Sequence, residues 1–350
     1  MSRDLDLEQR YRRVLRLLPG WYRDRWEEDM AATLLDGWLT GDQEADEYIS
    51  KAARPEWAEV ASVVCLAARL YLGGAGTPRR YFAWGQAIRR AALTVILVHA
   101  TLALDVLVRT AWNRRLFGLP APPASLMTAS PGGAWPAAYY MVNVAWVVIF
   151  VALALGRYRA ARVLAALAIV PGLVALLQAQ LTGIIPAPFG SWAFWALLNL
   201  VPVLAMTAFH RDAPRAARWP WLLALPANYL LVVVPLLAIQ ATGNSAWLPD
   251  FPGLCCVLVA LACLAHAPRA WSEQADGSGV WSLTLTLLAA VAGAYRMITL
   301  SGYLHDPHLM KVSLAELFIL AAAAALVAPD AARAQAATPA PPPHTRAMAA

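Results

Sequence analysis

The sequence predicts an all-α polytopic membrane bundle of about eight transmembrane helices, preceded by a small three-helix cytoplasmic domain. Three observations carry this. Hydrophobic residues make up 60% of the 350 positions and charged residues 14%, with a mean hydropathy of +0.51. Soluble domains run at about 45–50% apolar and about 25% charged. Apolar runs near the ~20 residues that cross a bilayer recur along most of the chain. Arginines cluster between alternate runs, as loops retained in the cytoplasm do. The division that follows is 1–75 helical prefix, 76–90 basic linker, 91–328 transmembrane domain and 329–350 disordered tail.

In the prefix, residues 7–18 have helical periodicity. Tyr11, Val14, Leu15 and Leu18 fall at i, i+3, i+4 and i+7, with Arg10, Arg12, Arg13 and Arg16 on the other faces. Pro19-Gly20 ends this helix. A second carries Tyr22, Trp26, Met30 and Leu34 every four residues, with Glu27, Glu28 and Asp29 beside that stripe. After the polar stretch Gly41 to Ser50, Arg54-Pro55 precedes a third helix with Trp57, Val60, Ala61, Val64, Ala68 and Tyr71 as its apolar residues. Roughly 70 residues bury a modest fraction of their surface, so the core of this prefix is marginal. Its candidate interaction surface is Arg12, Arg13, Arg16, Trp26, Glu27 and Glu28. The basic face is read as a solvated surface near the membrane; contact with anionic headgroups or an acidic protein partner is the functional alternative.

The segments Tyr-Arg-Arg-Val-Leu-Arg-Leu-Leu-Pro-Gly-Trp-Tyr-Arg-Asp-Arg-Trp-Glu-Glu-Asp-Met (11–30) and Arg-Pro-Glu-Trp-Ala-Glu-Val (54–60) resemble the N-terminal prefix of certain actinobacterial membrane proteins. That prefix is similar to the HAAS signalling and permease-prefix domains, some of which are encoded beside PadR-type regulators. The resemblance covers about the first fifth of the chain. It implies a signalling or interaction role and supplies no catalytic residues. Permeases that join such a prefix to an FtsX-like body carry large extracytoplasmic domains, and no loop here is long enough for one.

Past the linker, eight spans are expected at 91–108, 136–156, 161–183, 190–209, 219–240, 251–268, 279–300 and 309–328. Hydrocarbon offers no partner to backbone polar groups, so runs of this length are helices. Arg79, Arg80, Arg89 and Arg90 precede the first span. Arg157, Arg159 and Arg162 lie between the second and third, Arg211, Arg215 and Arg218 between the fourth and fifth, and Arg269 follows the sixth. Both termini are therefore expected in the cytoplasm. Trp84, Trp135, Trp192, Trp219, Trp221, Trp247, Trp271 and Trp281 fall near expected span ends, where indole rings sit at the interface. No cleavable signal sequence is read in the charged N-terminal region. The net charge of +6 is explained by orientation, so no nucleic-acid partner is expected.

Ionisable groups within spans are the candidate functional residues. They are His99, Asp105, Arg296 and Glu316. Asp105 has Arg109 four residues on, the spacing of a local ion pair. His99 is read either as a neutral hydrogen-bonding residue between helices or as a proton-handling group. Arg296 and Glu316 fall toward the same side of neighbouring antiparallel spans, where they could pair, hold the hairpin together or snorkel to water; a transport or ligand role is the functional alternative. Asn143, Gln178, Asn199 and Asn228 are expected to bond between helices, and Pro171, Pro202, Pro226 and Pro235 to kink theirs. His305, Asp306 and His308 lack a fourth donor at metal-site spacing and read as an ordinary loop. Cys65, Cys255, Cys256 and Cys263 form no CxxC pair. The chain has no GxxxxGK[ST], HExxH or GxSxG motif, so no enzyme, metal or cofactor is expected. A membrane-bound signalling or interaction protein is the leading reading; a transporter or permease-like component is the alternative.

Overall fold

The computed structural model describes residues 7–38, 55–73, 77–116, 118, 120–123, 136–182, 192–193, 195–210, 213–214, 217–241, 250–271, 278–300 and 306–336. The chain is all-α: among the described residues there are eleven helices and no strand. They separate into two compact units, one ending at Gly85 and the other beginning at Gln86.

The first unit contains α1 (Leu7–Leu15), α2 (Gly20–Trp38) and α3 (Trp57–Tyr71). Tyr11, Leu15 and Leu18 bury against Val63 and Ala67, with Tyr22, Met30 and Leu34 of α2 partly buried beside them. The stripe expected on α3 is corrected. Trp57 is 88% exposed and Val64 and Tyr71 are also exposed, while Val63, Leu66, Ala67 and Leu70 face the core. This helix is apolar on two faces, so helical periodicity alone allows two registers, and packing chooses between them. Its first turn is held by Glu59, whose carboxylate accepts from the Glu56 backbone N–H at 2.9 Å and the Trp38 indole at 3.1 Å.

Helix α4 (Arg79–Asn113) corrects the expected basic linker. Residues 79–90 are helical and continuous with the first span. Arginine favours a helix as well as most residues do, so a basic stretch ahead of a span has no reason to unwind. Residues 74–76 of the expected linker lie outside the described residues. Within the first unit, Gly85 sits directly against the Leu72 carbonyl, so close that a Cβ would collide with it. Gly73, at φ +73°, turns the chain there.

The second unit adds α5 (Pro136–Ala154), α6 (Tyr158–Leu181), α7 (Ala196–Ala208), α8 (Arg218–Ala241), α9 (Phe251–Trp271), α10 (Ser278–Leu300) and α11 (Pro307–Ala336). Helices α4, α6, α8, α9, α10 and α11 are long and apolar enough to cross a membrane; the apolar stretches Tyr140–Ala154 and Ala196–Ala208 are shorter. Outward-facing Val163 and Leu167 of α6 and Leu223, Leu230 and Leu231 of α8 are well exposed. A helix apolar on both its inner and outer faces belongs in lipid. One core joins α4 to α8 around Ile96, Ile149, Phe150 and Met206; another joins α9, α10 and α11 through Cys256, Ala260, Cys263, Ala289, Ala292 and Ala323. The small residues in this second seam let three backbones approach closely, as packing in lipid favours.

Two helices are irregular for one reason. A π-turn occupies Ala196–Leu200 in α7 and another Tyr229–Val233 in α8. Pro202 and Pro235 follow their π-turns at the same spacing. Each lacks the N–H that would close an α-turn and crowds the carbonyl four residues back, so the chain shifts to an i→i+5 bond. Finally, α11 runs to Ala336, so residues 329–336 are helical and not the start of a disordered tail. The apolar run stops at 328, but buried Asp330 and Ala331 continue its packing. Residues 337–350 lie outside the described residues.

Substituting Gly85→Ala should cost about 1–3 kcal/mol, because the colliding atoms are backbone and cannot step aside. Gly37→Ala, in open space within α2, should instead be neutral or stabilise by up to about 1 kcal/mol. Thermal unfolding of both variants in one detergent, followed by circular dichroism, checks the contrast.

Candidate functional site

The bundle of α9, α10 and α11 carries a polar layer at each end. At one end Arg296, 3% exposed, reaches two carboxylates from one guanidinium. Its Nη1 donates to Asp250 Oδ2 at 2.6 Å, and its Nη2 lies 2.6 Å from Glu316 Oε2. Asp250 also caps α9, its Oδ1 accepting from the Gly253 N–H at 3.0 Å. Gly253 must be small. A Cβ there would collide with Glu316 and come within 2.9 Å of Asp250 Oδ1. The ring of Tyr295 meets Phe251 edge-on at 5.8 Å beside this layer.

The other end holds His266, Ser282 and Asp330. The Ser282 hydroxyl donates to Asp330 Oδ2 at 2.7 Å, and His266 Nε2 lies 3.1 Å from Ser282 Oγ. The serine sits between the other two, so the imidazole does not stand between serine and acid as it does in a hydrolytic triad. Arg333 donates to the Ala270 carbonyl at 3.0 Å, and the Trp271 indole to Leu326 at 3.0 Å. These bonds tie the ends of α9 and α11 together.

A third polar region lies along α4. Asp105 and Arg109 pair within the helix at 2.9 Å. Asn228 donates to the Thr101 hydroxyl at 2.9 Å, linking α8 to α4; Thr101 itself donates to the Leu97 carbonyl. Asn199 bonds back to its own helix at Trp195. The His99 ring packs 4.5 Å from Trp146, with Nδ1 3.0 Å from the Val95 carbonyl. His99 lines a cavity of about 310 Å³ between α4, α7, α9 and α10. A second cavity of about 490 Å³, along α4, α8 and α9, includes Thr101, Asp105 and Arg109 and shares Val98, Asn228 and Cys255 with the first.

In the first unit the expected interaction surface divides. Arg12 bonds Glu8 at 2.8 Å and Glu28 at 2.8 and 3.0 Å, with Glu27 at 3.7 Å, clamping α1 to α2. Hydrogen bonds from Arg12, then its charge, hold the Glu28 carboxyl below its ordinary range. Arg13, Arg16 and Trp26 remain exposed, the Trp26 ring lying under the Arg25 guanidinium at 5.3 Å. Of the polar loop between α10 and α11, His305 lies outside the described residues. Asp306 caps α11 by accepting from the His308 and Leu309 N–H groups.

Sequence reasoning missed Asp250, His266, Ser282 and Asp330. A signal was present: each end layer draws one polar residue from each of three consecutive helices at matching depth. Asp250 and Asp330 escaped because they fall just outside the apolar runs.

Replacing Arg296 by Leu strands two carboxylates against each other and should destabilise the bundle by about 3–5 kcal/mol. The pair Arg296→Leu with Glu316→Leu should recover most of that loss, since Asp250 is partly exposed and can be hydrated. Folded yield and melting temperature of the two variants in detergent measure the difference. No family model, curated protein or solved structure matches the chain.

Proposed function

We propose that this chain is an eight-span protein of the cytoplasmic membrane with both termini inside. Its N-terminal three-helix unit, similar to HAAS and permease-prefix domains, is a signalling or interaction module for a cytoplasmic protein, and the chain is not an enzyme. The carrying observation is that the candidate charges Asp105, Arg296 and Glu316 are all held in ion pairs within the protein. Arg296 closes on Asp250 and Glu316, and Arg109 on Asp105. An ion path needs charged groups that exchange partners along a wet route. The Arg296 cluster instead holds three helices in register, which suits a protein that keeps or changes one packed state.

The eight-span count joins the six long helices to the two shorter apolar stretches. The last three helices alternate in direction: Asp250, Arg296 and Glu316 meet at one end of their bundle and His266, Ser282 and Asp330 at the other. The prefix offers Arg13, Arg16 and Trp26 on its surface, a pattern suited to an acidic partner. The transporter alternative is favoured by the adjoining cavities beside His99 and by the π-turns, which are frequent at functional sites.

Crosslinking in cells with the full-length chain should capture a discrete soluble protein. The capture should fall at least tenfold in Arg13→Glu with Arg16→Glu, at unchanged membrane abundance. If capture is indifferent to these substitutions, while Glu316→Gln abolishes solute uptake into proteoliposomes, the transporter reading takes its place.

A further inference from the structure

The ion pair on α4 uses only part of its arginine. Both oxygens of Asp105 stand against Arg109 Nε, at 2.9 and 3.1 Å. Among the described residues, nothing bonds or pairs with Nη1 or Nη2. Those two nitrogens form the flat end of the guanidinium, the fork that takes two oxygens of one carboxylate or phosphate. The group can be reached. Arg109 keeps 18% of its side chain exposed and lines the cavity of about 490 Å³ between α4, α8 and α9.

The rest of that cavity is an aliphatic trough. Leu236 and Leu237 of α8 face Leu254 and Leu258 of α9 across it, and the polar Thr101 and Asn228 in its wall are bonded to each other. Along α4 the lining runs from Val98 to Arg109, about 16 Å at 1.5 Å per residue. Charge therefore stands at one end and hydrocarbon at the other. Leu102 lines the same wall and is 40% exposed, so the trough opens sideways, and beside a span this apolar the surroundings are lipid. Its volume is about three times the roughly 150 Å³ that holds a benzene ring, which is room for one alkyl chain.

We infer that this cavity is a lipid site: it takes one alkyl chain whose oxyanion head, a carboxylate or a phosphate, lies on Nη1 and Nη2 of Arg109. Water alone would serve the guanidinium but has too few polar partners deeper in the trough, whereas an alkyl chain fills that volume. Asp105 already neutralises Arg109, so the bound head keeps its own negative charge. It therefore stays at the wet, charged end, and only hydrocarbon enters. The i,i+4 pair has a purpose in this arrangement: it holds the guanidinium by its side edge and presents the fork.

The test uses the full chain in phosphatidylcholine liposomes at pH 9, with a radiolabelled C16 fatty acid bearing a diazirine in its chain. On illumination, label should saturate and map to the peptides containing Leu236 and Leu254. Hexadecanoate and hexadecyl phosphate then compete against hexadecanol at equal mole fraction in the bilayer. An oxyanion should displace the label about tenfold better than the alcohol, a factor that charge-assisted hydrogen bonds supply. An advantage for the carboxylate assigns the site to a free fatty acid, and one for the phosphate to a phospholipid head. Arg109→Gln should erase the preference for an anion while labelling persists. Asp105→Asn, which breaks the pair but leaves the fork, should retain it. Leu254→Trp, which fills the trough, should remove labelling. Label that never saturates and equals that on the exposed Val163 and Leu167 face of α6 would overturn the proposal. So would anions and alcohol competing equally in the unmodified protein, or inorganic phosphate displacing the label as well as hexadecyl phosphate does. The outcome is independent of whether the prefix captures a protein partner.

Discussion

Lipid provides neither hydrogen bonds nor counter-charges, and that absence orders most of what is built here. Every polar group in the apolar helices has to find its partner within the protein or sit where water reaches it. In α9–α11 the polar groups are therefore sorted to the two ends of the bundle, with alanine, cysteine and leucine between them. Removing charge from the middle allows small residues to close the seam. Placing it at the ends then fixes the axial register, because a helix sliding by one turn would break both layers at once. In soluble proteins a buried ion pair often gains little over a hydrophobic replacement. In this position its value is specificity of alignment more than depth of stability.

Helix existence was legible in the sequence nearly everywhere, and helix limits were not. The apolar runs announce spans because nothing else keeps twenty such residues together. Their ends are set by contacts that hydropathy does not register. α11 continues past Pro329 because Asp330 accepts a bond from Ser282, and α4 begins at Arg79 because basic residues are good helix formers ahead of a span. The prefix shows a different limit. On α3 both candidate stripes have helical spacing, and only the arrival of Tyr11 and Leu15 decides for Val63 and Ala67.

For the candidate sites, identity could be read and partnership could not. Arg296 and Glu316 were evident as charged residues in apolar surroundings, yet the third member, Asp250, is a loop residue by composition and a cap by structure. His99 stood out as a residue, but its packing on Trp146 and its place opposite the π-turn of α7 come only from the fold. Pro202 and Pro235 were visible as kink sites. That both shift their helices to wider turns facing the cavities is a property of three-dimensional context, in which the lost α-turn carbonyl must go somewhere.

Arg89 bears on the order in which the protein is assembled. It is 3% exposed and donates from Nη1 to the Ala208 carbonyl at 3.2 Å, closing the C-terminal end of α7 with a partner 119 residues away in the chain. During synthesis α4 leaves the ribosome long before α7 exists. Under the proposed topology Arg89 spends that interval in water at the cytoplasmic face, where its charge retains the N-terminal side of the first helix. Once α7 arrives, the same guanidinium is withdrawn from solvent and becomes a plug for a helix end. In that topology one side chain would serve first as an insertion signal and later as a structural joint, the second role beginning only after the first has been discharged.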